Sequence, residues 1–404
     1  MSTSLLYHGF GIIGYHYVRT KYEGGTIIFV VRQEPETLRC PECGTQKVFR
    51  KGSTTRRFRL IPIGRKKVWV EMAIPRIKCP VCGFTRQVKV TFADARKSYT
   101  RSFERYVLEL CRYMTIQDIA RHLGVSWDVI KGIQKRYLIR HFSRPRLKDL
   151  KQIAIDEISI GKGHRYLSVV LDLISGTVVF VGEGKGADAL DPFWKRLRRS
   201  GAEIEAVAID MSPAYISAVI ENLPDAALVF DHFHVIKLFN ERLSKFRRYL
   251  YSHVKTAMEK EIIKGTRWLL LKNPENLSDK NNERQRLQEA LELNQPLATS
   301  YYMKEELRLF WSQPDKASAT DFLNDWISRA SASKITLLMR FANTLKAHKR
   351  GILAYYDYPI STGPLEGTNN KIKTMKRQAY GFRDKEFFKL KIMAIHNARY
   401  ALTG

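Results

Sequence analysis

The spacing of apolar residues changes character along the chain, and the changes divide it. Residues 67–74, Lys-Val-Trp-Val-Glu-Met-Ala-Ile, are β-rich and partly alternating, which predicts a strand. Residues 99–114 carry Phe103, Val107, Leu110 and Met114 at helical spacing. Two short helices follow. Thr115 and Ser126 suit N-caps, Gly124 suits the tight turn between the helices, and Ala120 is small where they cross. Ile119, Leu123, Val125 and Ile130 supply a core. This pattern predicts a helix-turn-helix whose second helix, about 126–137, enters a major groove. An ordinary helical hairpin is the plainer alternative.

From 150 to 240 the pattern becomes that of a sheet. Strands are expected at 152–160, 165–173, 176–182, 204–210 and 226–230, with helices at 187–200 and at 213–222, where Pro213 takes a first-turn position. Three strands in a meander, then alternating helix and strand, suggest a ribonuclease H-like α/β architecture. In that arrangement the first and fourth strands are parallel neighbours, and Asp156 and Asp210 stand about 5 Å apart. Beyond 238 the chain reads as helical, at 238–264, 283–293, 301–311, 317–329 and 335–348. Trp311 and Trp326 are expected in the core. Trp268 is either core or a surface on which a flipped base stacks.

Composition sharpens this outline. The chain has 404 residues, enough for several domains, with 44% hydrophobic and 27% charged residues, as in ordinary globular proteins. No apolar run approaches the ~20 residues of a membrane span, and no secretion signal is evident at the N-terminus. Both make a secreted or membrane protein unexpected. The formal charge is +29, and residues 1–150 carry 30 basic against 11 acidic residues. Such an excess is self-repelling unless a polyanion neutralises it, and nucleic acid is the leading candidate. No phosphate-binding G-x-x-x-x-G-K-[ST] motif is present.

Four of five cysteines fall in two pairs, Cys40-Pro-Glu-Cys43 and Cys79-Pro-Val-Cys82, each followed by glycine. Two such knuckles supply four thiolates to one tetrahedral structural Zn²⁺. Cys111, in an apolar helical stretch, is expected as a buried thiol. Between the knuckles, residues 51–67 hold seven basic and no acidic residues. Arg56, Arg57, Arg59, Lys66 and Lys67 are the candidate phosphate contacts of this module. Ser126, Trp127 and Lys131, at the start of the second helix, are the candidate contacts of the helix-turn-helix.

The acidic candidates suit phosphoryl transfer. Mg²⁺ or Mn²⁺ prefers oxygen ligands, and two such ions can assist both the attacking and the leaving oxygen. Asp156 and Asp210 need a third carboxylate. Glu366 offers one, in a helix opening at Pro364 and continuing with Lys371, Lys373, Lys376 and Arg377, which are suited to grip a DNA backbone.

These pieces together resemble the ISL3 family of insertion-sequence transposases, within the DDE superfamily. The resemblance runs from about residue 38 to 400. It rests on the knuckles, the helix-turn-helix, Ala-Ile-Asp156-Glu157, Ala-Ile-Asp210-Met-Ser-Pro-Ala-Tyr215, Phe-Asp231-His-Phe-His234-Val-Ile-Lys, the 363–373 segment and Tyr380-Gly-Phe-Arg383. It implies that Asp156, Asp210 and Glu366 form the catalytic triad. It also implies that Asp231 and His234 match an Asp-x-x-His element orienting phosphate or the metal shell, and that the helical stretch is an insertion within the catalytic fold. Glu157, expected on the opposite strand face, is not assigned to metal.

The expected organisation is multidomain α+β: an N-terminal segment 1–37, a zinc ribbon 38–97, a helix-turn-helix 98–145, a ribonuclease H-like α/β catalytic domain 150–240 resumed at 351–404, and a helical insertion 241–350. The expected function is binding of terminal inverted repeats, followed by metal-dependent cleavage and strand transfer into target DNA. A homodimer or larger synaptic assembly is expected, cytoplasmic and nucleoid-associated in a bacterium. The alternatives are a catalytically inactive DNA-binding regulator and a structure-specific nuclease.

Overall fold

The computed structural model describes residues 4–161 and 163–396. The extreme ends of two expected segments, 1–3 and 397–404, lie outside the described residues. The chain divides into two compact units, one formed by residues 1–144 with 378–404 and the other by 145–377.

The first unit begins with a short helix α1 (Leu5–His8) and the strands β1 (His16–Glu23) and β2 (Thr26–Arg32). Strands β3 (Phe49–Ile63) and β4 (Lys66–Lys78) form a long antiparallel hairpin, turning at Gly64, whose φ of 57° suits glycine. A short β5 (Thr85–Gln87) adds to β4. The sheet order is β1-β2-β4-β3, with β2 parallel to β4. The expected N-terminal segment is therefore not set apart: two of its strands extend the sheet that carries the cysteines. Phe29, Val31, Phe58, Val70 and Met72 bury that sheet's apolar face.

Three helices follow: α2 (Arg101–Leu110), α3 (Ile116–Leu123) and α4 (Trp127–Phe142). Their caps form from local sequence. The hydroxyls of Thr100, Thr115 and Ser126 accept from the backbone N–H of Phe103, Asp118 and Val129, and Gly124 ends α3 at φ 60°.

The second unit holds β6 (Gln152–Gly161), β7 (Arg165–Asp172), β8 (Val178–Glu183), α5 (Asp191–Ser200), β9 (Ala206–Ile209), α6 (Pro213–Asn222) and β10 (Ala227–Phe230). The sheet order is β10-β9-β6-β7-β8. The β6–β9 and β9–β10 pairs are parallel, and the β6–β7–β8 meander is antiparallel. Helices α7 (His232–His253), α8 (Ala257–Gly265), α9 (Glu283–Leu293), α10 (Gln295–Arg308), α11 (Lys316–Ala332) and α12 (Thr336–Leu353) follow, and then α13 (Gly363–Gln378). The expected single helix 238–264 is two helices. Thr256 caps α8 by accepting from Glu259 N–H, and its hydroxyl donates to the Glu259 carboxylate at 2.6 Å.

One apolar core runs from Ile153, Val170 and Val207 of the sheet through Phe239 and Leu243 to Trp326 and Phe341 of the helices. The helices thus share the sheet's core. At the crossing of α12 with β10, Gly351 leaves room for the Phe230 ring, which any Cβ there would strike. No helix among the described residues is long and apolar enough to cross a membrane.

The chain closes with α14 (Lys385–Met393), which belongs to the first unit. Phe387 and Leu390 cluster with Leu138 of α4. Within the expected segment 351–404, α13 thus lies in the second unit and α14 in the first.

Candidate active site

The two knuckles are built alike. Gly44 N–H donates to Cys40 O and Gly83 N–H to Cys79 O, both at 3.0 Å, and both glycines have positive φ, at 75° and 72°. Each turn presents two sulfurs. The four ligand atoms of Cys40, Cys43, Cys79 and Cys82 lie within 4.8 Å of one another. Four thiolates so gathered, with no disulfide between them, fit a tetrahedral Zn²⁺. Cys111 is buried as expected, and burial pushes its thiol up to about 12.

The basic candidates are sorted by burial. Arg59 is 3% exposed, and its guanidinium donates to Leu123 O at the turn of the helix-turn-helix. It braces that turn and does not face solvent, which corrects its expected role as a phosphate contact. Arg57 is exposed but paired with Glu71 at 2.7 Å and Glu23 at 3.2 Å. Arg56 donates to Lys97 O and lies over the Phe58 ring. Lys66 and Lys67 are exposed.

On α4, Ser126 is engaged as the cap and Trp127 is 42% exposed. Lys131 sits 5.1 Å over the Trp127 ring and pairs with Asp384 at 2.9 Å. Lys135 pairs with Asp384 and Glu386. Asp384, the N-cap of α14, is held well below the usual carboxylate range, first by the Phe387 N–H and then by Lys131.

Asp156, midway along β6, and Asp210, just after β9, lie beyond the carboxyl end of the stretch where these two strands pair in parallel, the usual side for a site in an α/β sheet. Asp156 of β6 and Asp210 after β9 each stand two residues beyond the last parallel pair, Ala154–Ala208. Asp210 Oδ1 accepts from Ser212 N–H at 2.9 Å, which turns the chain into α6. Asp156 Oδ1 accepts from Glu157 N–H and Oδ2 from the Asn369 amide, both at 2.8 Å. Burial raises the Asp156 carboxyl to about 6. Glu157 and Asp210 add to the rise, while the Glu157 N–H and His234 oppose it. Burial likewise raises Glu157, with Asp210 adding to the rise and Tyr215 opposing it. The Tyr215 hydroxyl lies 2.9 Å from Ser168 Oγ, on the strand beside Glu157.

Glu366 is exposed in the first turn of α13, three residues before Asn369 and on the same helix face. Among the described residues only the four cysteines bring three or more ligand atoms within 4.8 Å, so Asp156, Asp210 and Glu366 do not converge on one point. The donor set nevertheless fits a hard divalent cation. Asn369 Oδ1 is buried beside Asp156 with no hydrogen-bond partner, and the carboxylates around it repel one another. Asn369 was not singled out from the sequence. Its spacing from Glu366 was the available signal.

Strand β10 ends at Phe230, and Asp231 caps α7, with Oδ1 accepting from Phe233 N–H at 2.7 Å. Its Oδ2 accepts from Thr362 N–H at 2.5 Å and the Thr362 hydroxyl at 2.7 Å. It is 1% exposed, and these bonds tie the start of α7 to the turn before α13. His234 is half-buried and acts electrostatically on Asp156 and Glu157.

On α13, Lys371, Lys373 and Arg377 are exposed, while Lys376 donates to Ile160 O at the end of β6. Trp268 is 64% exposed, with the Arg267 guanidinium 4.6 Å from its ring centroid, and so is not core. Trp326 is fully buried, whereas Trp311 is only partly buried against the core.

Residues 36–82 match the zinc finger of the transposases IS204, IS1001, IS1096 and IS1165, and residues 88–138 match the helix-turn-helix domain of transposase family ISL3. The transposase domain of the ISL3 type matches residues 153–392. The chain is 33% identical over 374 residues to the transposase for insertion sequence element IS1001 of Bordetella parapertussis, covering 92% of each protein. It is 29% identical to the transposase for insertion sequence element IS1557 of Mycobacterium tuberculosis, covering 95% of this chain and 91% of that one. Among solved structures, the Drosophila P element transposase strand transfer complex aligns with a TM-score of 0.41 at 10% identity, over 76% of this chain and 94% of that one, too distant to carry an argument. With three domains matching in order and a relative this similar over nearly its full length, the chain belongs to the ISL3 family of DDE transposases.

Proposed function

We propose that this transposase binds the terminal inverted repeats of its own element through the zinc ribbon and helix-turn-helix, then cuts and joins DNA at Asp156, Asp210 and Glu366. The observation that carries the site assignment is the Asn369–Asp156 hydrogen bond. It brings the helix of Glu366 onto the strand of Asp156, beside the in-register Asp210. The sheet, with its antiparallel meander and parallel β6–β9–β10 half, is a ribonuclease H-like core in this reading. The helices from α7 to α12 are its insertion.

Asp156, Asp210, Glu366 and the Asn369 carbonyl would hold Mg²⁺ or Mn²⁺. When bound, the cation neutralises the carboxylates and stabilises charge on the attacking and leaving oxygens. The chain's own residues position the reaction. Asn369 holds the Asp156 carboxylate, and Asp231 and Lys376 fix the two ends of α13 that bracket Glu366. Lys371, Lys373 and Arg377 give the same helix exposed positive charge for the DNA backbone. Water cleaves the phosphodiester to leave a 3′-hydroxyl, which then attacks a target phosphodiester in a second exchange that needs no nucleotide hydrolysis. Two element ends must be held together, so a homodimer or larger assembly follows, acting on the bacterial nucleoid.

Purified protein with Mg²⁺ or Mn²⁺ and DNA from the flanks of its own gene should nick at the repeat boundary. Asp210→Asn should lower the rate by about 10³-fold or more, ~4 kcal/mol in barrier. Tight end binding with no cleavage under any metal would replace this reading with a DNA-binding regulator. Cleavage indifferent to end sequence, with no joining, would replace it with a structure-specific nuclease.

A further inference from the structure

A cavity of about 840 Å³ lies in the second unit along one face of α7. The opposite wall is the 267–273 segment with Arg308 and Trp311. Three features of its lining call for a ligand. It is cationic: Lys237, Lys245, Arg248 and Arg267 have no ion pair among the described residues, and Glu241 is the one acidic group on the wall. It is aromatic: the His232 ring lies 4.1 Å from Phe233 and 5.8 Å from Trp311, and Phe233 is 56% exposed. It holds unmet hydrogen-bonding groups: His232 Nδ1, Asn240 Oδ1 and Trp311 Nε1 are buried without partners. A native interior leaves few such atoms unpaired, and three gathered around one groove, two on α7 and one across from it, point to a partner that arrives with a ligand.

We infer that this groove binds one unpaired nucleotide, its base against the His232–Phe233–Trp311 surface and its phosphates along the cations of α7 and Arg267. Aromatic faces beside a positive groove are how unpaired nucleotides are held. The asparagine acceptor and indole donor match the mixed edge of a base. The placement suits the chemistry, because one turn of α7 carries His234 toward Asp156 and His232 and Phe233 toward the groove. The inference rests on the reading of this chain as a DNA-cutting transposase when the nucleotide comes from DNA at the cleavage point. The same chemistry also fits a free nucleotide.

The test uses the full chain and two probes: a duplex from the gene's flank with one unpaired terminal 2-aminopurine, and free 2-aminopurine deoxynucleoside triphosphate. Stacking quenches either probe. Quenching of the duplex probe is expected, with preference over a fully paired duplex reduced about tenfold by the exposed pair Lys245→Ala and Arg248→Ala. Trp311→Phe keeps the ring, removes the donor and should weaken the preference severalfold. Quenching of only the free probe, lost in the same variants, supports the groove with a free nucleotide as occupant. No quenching of either probe, or quenching unchanged in folded variants, overturns it. Binding is read without cleavage, so nicking without quenching sinks the groove alone, and quenching without nicking sinks the cleavage assignment alone.

Discussion

The knuckles and the carboxylate cluster gather their side chains in different ways. Each knuckle is a turn of six residues in which glycine and backbone N–H groups aim two sulfurs, so only two local pieces must meet. Their four ligand atoms already lie within 4.8 Å. The carboxylates come from positions 156, 210 and 366 and stay unconverged, with Asp156 raised to about 6 by burial and its neighbours. A structural site gains from closure, whereas a catalytic one keeps space for substrate and stores repulsion that a cation relieves.

Three experiments sharpen or break this contrast. The largest effect is expected from Cys79→Ser. Structural zinc sites contribute on the order of 10 kcal/mol to folding, so bound zinc, exchange protection of both knuckles and end binding should be lost together. Retention of stoichiometric zinc and full protection would show that the knuckles do not depend on closure.

Next is Asp231→Ala. This removes a buried charged acceptor of three donors, for a loss of about 3 kcal/mol in the urea unfolding of the second unit. Cleavage should fall as well, because the start of α13 is released. Wild-type stability in that unit would mean the carboxylate site is as local as the knuckles.

The smallest effect is expected from Asp384→Ala, about 1 kcal/mol from loss of a helix cap that also holds Lys131 and Lys135. The folded carboxyl lies below its unfolded value, so its contribution is full above about pH 4 and is lost as pH falls through the folded value. Urea titrations of the first unit should show the gap between variant and wild type closing on acidification. A gap independent of pH would remove the ion pairs from the account.

Much of the candidate chemistry is legible in sequence where it depends on neighbours along the chain. The Thr115, Ser126 and Gly124 signals place the helix-turn-helix because caps act within three residues. The strand at Asp156 is visible as an apolar run ending in carboxylates. Legibility fails where partners are remote. Arg59 looks like any other arginine in a basic run until Leu123 O claims it. Nothing near Asp231 in the chain shows that Thr362, 131 residues on, takes one of its oxygens.

The sequence by itself determined the two knuckles, the helix-turn-helix and the succession of strands and helices from 152 to 230, since turn chemistry and hydrophobic period are local properties. Tertiary structure alone decided that β1 and β2 join the cysteine-bearing sheet, that α14 packs on α4, that Asn369 meets Asp156, and that α7 faces a cationic groove. Each of these depends on which surfaces become buried together, and burial is settled by the whole fold at once.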